Sequence, residues 1–111
     1  MKKISLTENI LYKENKPAVQ LLLETTFSKE IRIAFRSGQI MKEHQAPFPI
    51  VVEIFEGAID FGIEGKTHHL SKGDLITLES NIPHDLTALE DSIVRLTLSK
   101  SDSVTRVENV T

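Results

Sequence analysis

The sequence predicts an all-β fold, a small antiparallel β-barrel, on the basis of three observations. Short apolar runs are separated by Gly, Pro or Asn turns at roughly 8–12-residue spacing, the pattern of a sandwich or barrel. Within runs such as Glu30–Arg36 and Ala58–Glu64, apolar and polar residues alternate with a period near two, which indicates strands with one buried face. With five Phe, one Tyr and no Trp, the core must consist mainly of Ile, Leu and Val, which favour strands.

The clearest runs predict six strands. The run Ile50–Glu56 is apolar on both faces apart from Glu53, which predicts a strand covered on two sides. We therefore expect a homodimer with the outer face of this strand in the interface, and an inter-subunit ion pair at Glu53. The other predicted strands are Ala18–Thr25, Glu30–Arg36, Ala58–Glu64, Asp74–Glu79 and Ser92–Lys100.

The two ends of the chain carry weaker signals. Ser5-Leu6-Thr7-Glu8 has the pattern of a helix-capping box, so residues 6–14 are predicted to form either one or two helical turns or an edge strand. In the polar tail, valines recur every three residues, which is typical of neither strand nor helix. We predict one domain over residues 1–111, with a core barrel at about 18–100 and a tail at about 101–111 that is an ordered arm or frayed.

Composition and charge exclude several functions. The formal net charge is −3 and no run of Lys or Arg occurs, which argues against nucleic-acid binding. The absence of cysteine excludes disulfides, thiolate metal sites and cysteine nucleophiles. No signal-peptide pattern and no apolar stretch of about 18 residues occurs, so we expect a cytoplasmic protein that does not interact with membranes.

Two segments resemble the paired motifs of the cupin family. The first family motif is a Gly, five residues, His-x-His, a Glu three or four residues later and a Gly seven residues beyond; the second is Gly-Asp, a short strand, a Pro/Gly turn and a His. The resemblance spans about residues 31–98 and implies a jelly-roll barrel, the antiparallel double-stranded β-helix of type-2 or RmlC-like cupins. The matching residues are Gly38, His44 and Gly57 in the first motif, and Gly73, Asp74, Pro83 and His84 in the second.

Three positions depart from the family pattern. Ala46 replaces the second His, Ile50 replaces the Glu, and Ala88 replaces an Asn often found four residues after the last His. The usual cupin centre is a metal held by three imidazoles and one carboxylate. The resemblance therefore implies an altered site in which His44 and His84 hold a divalent transition metal, Zn, Fe, Mn or Ni, only weakly. His68 is the one candidate for a third protein ligand, if Leu70 faces the core.

Three functions remain open on this evidence. The first is a stand-alone barrel that binds a small, partly apolar molecule, with Phe48 as an apolar lid. The second is a metal-dependent enzyme of the dioxygenase, isomerase or lyase type with a two-histidine site. The third is a metal-free acid/base catalyst that uses one of the two histidines. The predicted cavity residues are His44, His84, Ala46, Phe48, Ile50 and Ala88.

Overall fold

A computed structural model describes every residue from Met1 to Thr111 and contains nine strands and one short helix. The elements are β1 (Ala18–Glu24), β2 (Ser28–Phe35), β3 (Ile40–His44), β4 (Ile50–Glu56), β5 (Ala58–Ile63), β6 (Lys66–Ser71), β7 (Leu75–Leu78), β8 (His84–Ala88), β9 (Ser92–Ser99) and α1 (Val104–Glu108).

The strands form two antiparallel sheets that face each other. One sheet has five strands in the order β1-β2-β9-β4-β7, and the other has four in the order β3-β8-β5-β6. Consecutive strands lie in different sheets at several points, so the chain winds between them as a double-stranded β-helix. The predicted fold class is confirmed.

Alternation along the strands builds an aliphatic interior. On β4 the inward-facing residues Ile50, Val52 and Ile54 are all buried, and the residues between them are partly exposed. Burying one such side chain contributes roughly 1.5–3 kcal/mol to folding. A one-residue slip of register would turn Glu53 inward, so the apolar pattern also fixes the strand pairing.

The outer face of the larger sheet carries a network of ion pairs. Arg95 of β9 donates to Glu53 of β4 at 2.7 Å and to Glu30 of β2 at 2.9 Å. Glu53 thus faces away from the interior as predicted, but its partner lies in the same chain. The neighbouring strand therefore supplies a cation for Glu53 within the chain. The homodimer and an inter-subunit ion pair at Glu53 stay predictions.

The N-terminal strap, residues 1–16, contains neither helix nor strand, so both predictions for residues 6–14 are wrong. Ser5 does not cap a helix; its Oγ accepts from the Thr7 amide in a local turn instead. The strap lies over the outward-facing Arg32 of β2, which is only 2% exposed. The Arg32 guanidinium donates to the Ser5, Leu6, Glu8 and Asn9 carbonyls at 3.1–3.3 Å and to Gln20 Oε1 at 2.7 Å.

The backbone at Gly57 shows why the first motif has a glycine at this position. It is the single residue between β4 and β5, where the chain passes from the larger sheet to the smaller one. Its φ of +87° lies in the left-handed region, and a Cβ there would lie 2.2 Å from Ser92 Oγ and 2.5 Å from the Asp91 carbonyl oxygen. Any side chain would therefore strain this crossing.

The C-terminal tail, residues 101–111, is an ordered arm. Helix α1 begins after Ser103, whose Oγ accepts from the Arg106 amide at 3.3 Å, as an N-cap side chain does. Val104, Val107 and Val110 pack against the barrel core. The period of three thus places two valines of α1 and one of the turn after it against the barrel. No helix here is long and apolar enough to span a membrane.

The first prediction concerns Arg32. We expect Arg32→Leu to leave the barrel folded but to release the N-terminal strap, since the guanidinium donates hydrogen bonds to four main-chain carbonyls of the strap. The loss should be about 2–4 kcal/mol in urea unfolding, and trypsin should cut faster at Lys13. Lys72→Leu is the control, because Lys72 is exposed in the turn between β6 and β7 and its ion pair with Glu56 is worth about 1 kcal/mol or less. Unchanged cleavage in Arg32→Leu would contradict this role.

Candidate functional site

A small cavity lies between the two sheets at the end of the barrel that α1 covers. Its volume is about 20 Å³, room for about one water molecule. Most of its wall is apolar and includes Val52, Phe61 and Val107. Three polar side chains reach it: His44, His84 and Arg106.

A β-bulge turns His44 into this cavity. Met41 pairs with Leu86, but His44 rather than Glu43 pairs with His84, so β3 carries one more residue than β8 across this stretch. Without the extra residue, Glu43 would face inward. The bulge also leaves backbone groups of Lys42 available: its carbonyl accepts from His44 Nδ1 at 2.6 Å, and its amide donates to the Val110 carbonyl of the tail at 3.2 Å.

His84 is held in the same way. Its Nδ1 donates to the Ile82 carbonyl at 2.8 Å, and its ring stacks on Phe61 with centroids 5.4 Å apart. The His44 ring meets it edge-on, with centroids 4.2 Å apart at an angle of 60°. The two imidazoles thus form a fixed pair whose orientations are set by backbone carbonyls and by an aromatic face.

The hydrogen bonds decide which ring nitrogens of His44 and His84 are available. A carbonyl oxygen can only accept, so the proton of each neutral ring sits on Nδ1 and the lone pair on Nε2. Neither Nε2 atom has a protein partner, and no side-chain nitrogen or oxygen that is sealed from solvent lacks one. Each Nε2 is therefore an acceptor that opens on accessible space.

Burial keeps both rings neutral. It lowers the pKa of His44 to about 4; the positive charges of His84 and Arg106 act in the same direction, against the Lys42 carbonyl and Asp85. The pKa of His84 is also lowered, first by burial and then by Arg106, again against its backbone hydrogen bond and Asp85. At neutral pH the pair acts as two hydrogen-bond acceptors.

Arg106 is a site residue that the sequence prediction missed. Its Nε and Nη2 donate to the two carboxylate oxygens of Asp102, each at 2.7 Å, and the Asp102 side chain is only 1% exposed. Burial alone would raise the pKa of Asp102, but hydrogen bonds from Arg106 and the Ser103 amide hold it below its usual value. Arg106 Nη1 has only a long contact, 3.4 Å to the Gln45 carbonyl, so it retains donor capacity at the cavity.

The structure brings together four of the six predicted cavity residues: His44, Ala46, Ile50 and His84. Ala88 does not line the cavity, because it lies four residues along β8 from His84, about 13 Å away at the opposite end of the barrel.

Phe48 is also outside the cavity lining. It is half-buried in the loop between β3 and β4, and Arg106 and Val107 of α1 occupy the place where Phe48 was expected as a lid. The tail, and not this loop, lies at the mouth of the barrel.

His68 does not join the histidine pair. Leu70 packs against the core, and His68 pairs with Phe61 across β5 and β6. His68 therefore faces the inner side, as expected for a residue two positions before Leu70. It is nevertheless exposed on an edge strand and borders a separate hollow with Ile76. The prediction of a third ligand at His68 is wrong, because no three His, Asp or Glu side chains come together to hold an ion.

The comparison with protein families agrees with this geometry. The model of the AraC-like ligand binding domain matches residues 27–98. The chain belongs to this family. No match was found among curated proteins.

Solved structures similar to this AraC-like ligand-binding domain include an RmlC-like cupin and a protein with a double-stranded β-helix domain. An RmlC-like cupin protein from Desulfovibrio desulfuricans is 21% identical with a TM-score of 0.82, over 90% of this chain and 97% of that one. A Klebsiella pneumoniae protein with a double-stranded β-helix domain is 19% identical with a TM-score of 0.81, over 93% and 94%. KdgF from a Halomonas species is 18% identical with a TM-score of 0.73, over 90% and 94%. The predicted resemblance to small single-domain cupins is confirmed.

The donor set of this AraC-like domain does not fit a tightly held metal. The two Nε2 lone pairs are suitable ligands, and Nδ1 bonds to carbonyls are what ligating imidazoles usually show. The other two positions of the family's ligand set hold the methyl group of Ala46 and the butyl group of Ile50, both on the cavity wall. No group of three or more His, Asp or Glu residues could hold an ion, and the Arg106 guanidinium adds a positive charge.

The second prediction follows from the lowered histidine pKa values. Between about pH 4 and 6.5 the unfolded chain binds more protons than the folded one at His44, so stability falls as pH drops through this window. From pH 7.5 to 5.0, His44→Gln should lose about 1–2 kcal/mol less than wild type in urea unfolding. Equal slopes for wild type and His44→Gln would show that His44 is not buried as a neutral ring.

The third prediction tests the altered ligand set. Ile50→Glu restores a carboxylate beside the two imidazoles, so we expect its Zn²⁺ affinity in calorimetric titration to rise at least about tenfold over wild type. Val51→Glu is the matched control, since its side chain points to the outer face of the same strand. Unchanged Zn²⁺ affinity in a folded Ile50→Glu protein would contradict the placement of this position beside the imidazoles.

Proposed function

We propose that this protein is a stand-alone ligand-binding barrel that takes a small, partly apolar molecule between its two sheets. One observation carries the proposal: His44, His84 and Arg106 are the three polar residues that line an otherwise apolar cavity. Binding sites for small molecules are typically apolar pockets with a few polar groups that orient the ligand. The replacements Ala46 and Ile50 extend the apolar wall where a metal would need ligands.

Binding requires α1 to move, because the closed cavity holds only about one water molecule. The tail is lightly attached: beyond Asp102, its one main-chain hydrogen bond to a strand joins the Val110 carbonyl to the Lys42 amide. The Lys29 ammonium also donates to the Asp102 carbonyl. Such a segment opens at a lower free-energy cost than the core strands, so α1 is a cover over the mouth of the barrel.

The histidine environment favours binding over proton transfer. A general base works best when its pKa lies near the operating pH, and burial lowers the pKa of His44 to about 4. No carboxylate orients either ring, since both Nδ1 atoms bond to backbone carbonyls. The pair is therefore better suited to accepting hydrogen bonds from a ligand than to abstracting protons.

The fourth prediction uses isobutanol as a probe of the interior. We expect millimolar binding in NMR titrations, with shift changes at His44, His84 and Val107, because five non-hydrogen atoms give only weak affinity, about 1 mM. Val52→Phe should abolish binding by filling the cavity, and Val51→Phe on the outer face of β4 should not. Val107→Ala should tighten binding by enlarging the cavity.

Two results would overturn the proposed function. One is binding that persists in a folded Val52→Phe protein. The other is a set of shift changes that maps to the outer faces of the sheets. Val107→Ala gives an independent reading if Val52→Phe does not fold.

A further inference from the structure

The hydrogen-bonding groups at the mouth define what kind of head group fits. The Nε2 atoms of His44 and His84 are acceptors, because each Nδ1 proton is committed to a carbonyl. Arg106 Nη1 is a donor, because Nε and Nη2 are committed to Asp102. Asp102 also balances the guanidinium charge, so the site offers two acceptors and one donor with no net charge.

Common head groups can be compared against this set. A carboxylate has acceptors only, so it would satisfy Arg106 but would face two lone pairs of the imidazoles. A hydroxyl has one hydrogen to donate and leaves one Nε2 without a partner. A primary carboxamide has an NH₂ group with two donors and a carbonyl acceptor, which matches all three groups. Leaving a buried polar group unpaired is what makes the other matches costly.

We infer that the site, once α1 has shifted to make room, binds a small molecule with a primary carboxamide head. Its NH₂ group donates to His44 and His84, and its carbonyl accepts from Arg106, which Asp102 keeps at the mouth. The rest of the ligand is a compact aliphatic group that packs against the apolar wall of Ile50 and Val52. This inference rests on the proposed function and adds the ligand class to it.

The geometry of the imidazole pair suits an NH₂ group. The two ring centroids lie 4.2 Å apart with their planes at 60°, so one NH₂ group can lie within reach of both rings. Phe61 holds the His84 ring on one side, and the carbonyls of Lys42 and Ile82 prevent either ring from turning its Nδ1 proton inward. The acceptors are thus preorganised before a ligand arrives.

The fifth prediction compares three probes of nearly equal shape: isobutyramide, isobutyrate and isobutanol. Each is titrated into the full-length protein at pH 7.5 with EDTA present, and binding is followed by NMR. We expect isobutyramide to bind at least about tenfold more tightly than isobutyrate, since the carboxylate leaves both Nε2 atoms unpaired. Isobutanol should lie between them.

The matched variant is His44→Phe, which keeps a ring beside His84 but removes one acceptor. It should lose most of the preference for isobutyramide over isobutanol, since each probe then finds only one Nε2 acceptor. His84→Phe should behave alike. The comparison of the three probes in the wild-type protein needs neither variant to fold.

Each outcome separates the inference from the function on which it rests. A preference for isobutyramide that both variants lose supports the carboxamide head. Equal binding of all three probes, or tightest binding of isobutyrate, overturns the carboxamide head and leaves the binding barrel standing. If no probe binds, including isobutanol, the proposed function and the inference fail together.

Discussion

The ion pair between Asp102 and Arg106 is the interaction on which the closed site depends. Both partners lie in the tail, and the nearly complete burial of the Asp102 side chain fixes the guanidinium in one orientation. That orientation brings Val107 onto the open end of the barrel and leaves Arg106 Nη1 at the cavity. A buried pair of this kind costs desolvation energy for both ions, so its value lies in specifying where the tail rests.

The bulge on β3 links this cover to the histidine pair. One residue, Lys42, uses its carbonyl to hold the His44 ring and its amide to hold the Val110 carbonyl. The same bulge residue thus anchors both the imidazole and the tail that lies over the cavity.

Local spacing in the sequence predicts the barrel but not its mouth. The spacing between Gly57 and His84 matches the family motifs because the two sheets fix the lengths of the strands between them. The alternation of side chains along β4 places Ile50 inward. The bulge could not be predicted from this alternation, because one extra residue in β3 changes which side chain faces the interior. Ser103 and the valine period of three were the available signals for α1, but a helix this short has no apolar stripe to distinguish it from a loop. Arg106 reaches the site through a long-range contact, so no local pattern could predict it.

The two departures from the cupin ligand set and the position of Arg106 have one physical interpretation. A metal ion and a guanidinium cannot occupy the same small cavity without repulsion, and here the guanidinium is covalently part of the chain. The positive charge is then carried by directed N–H donors and balanced by Asp102. Such donors can hold a ligand oxygen by hydrogen bonding instead of coordination. A metal would polarise a bound group, whereas a neutralised guanidinium with two neutral imidazoles mainly orients it. The residues that replace metal ligands and the residue that the tail adds therefore favour the same task, the recognition of an uncharged polar head.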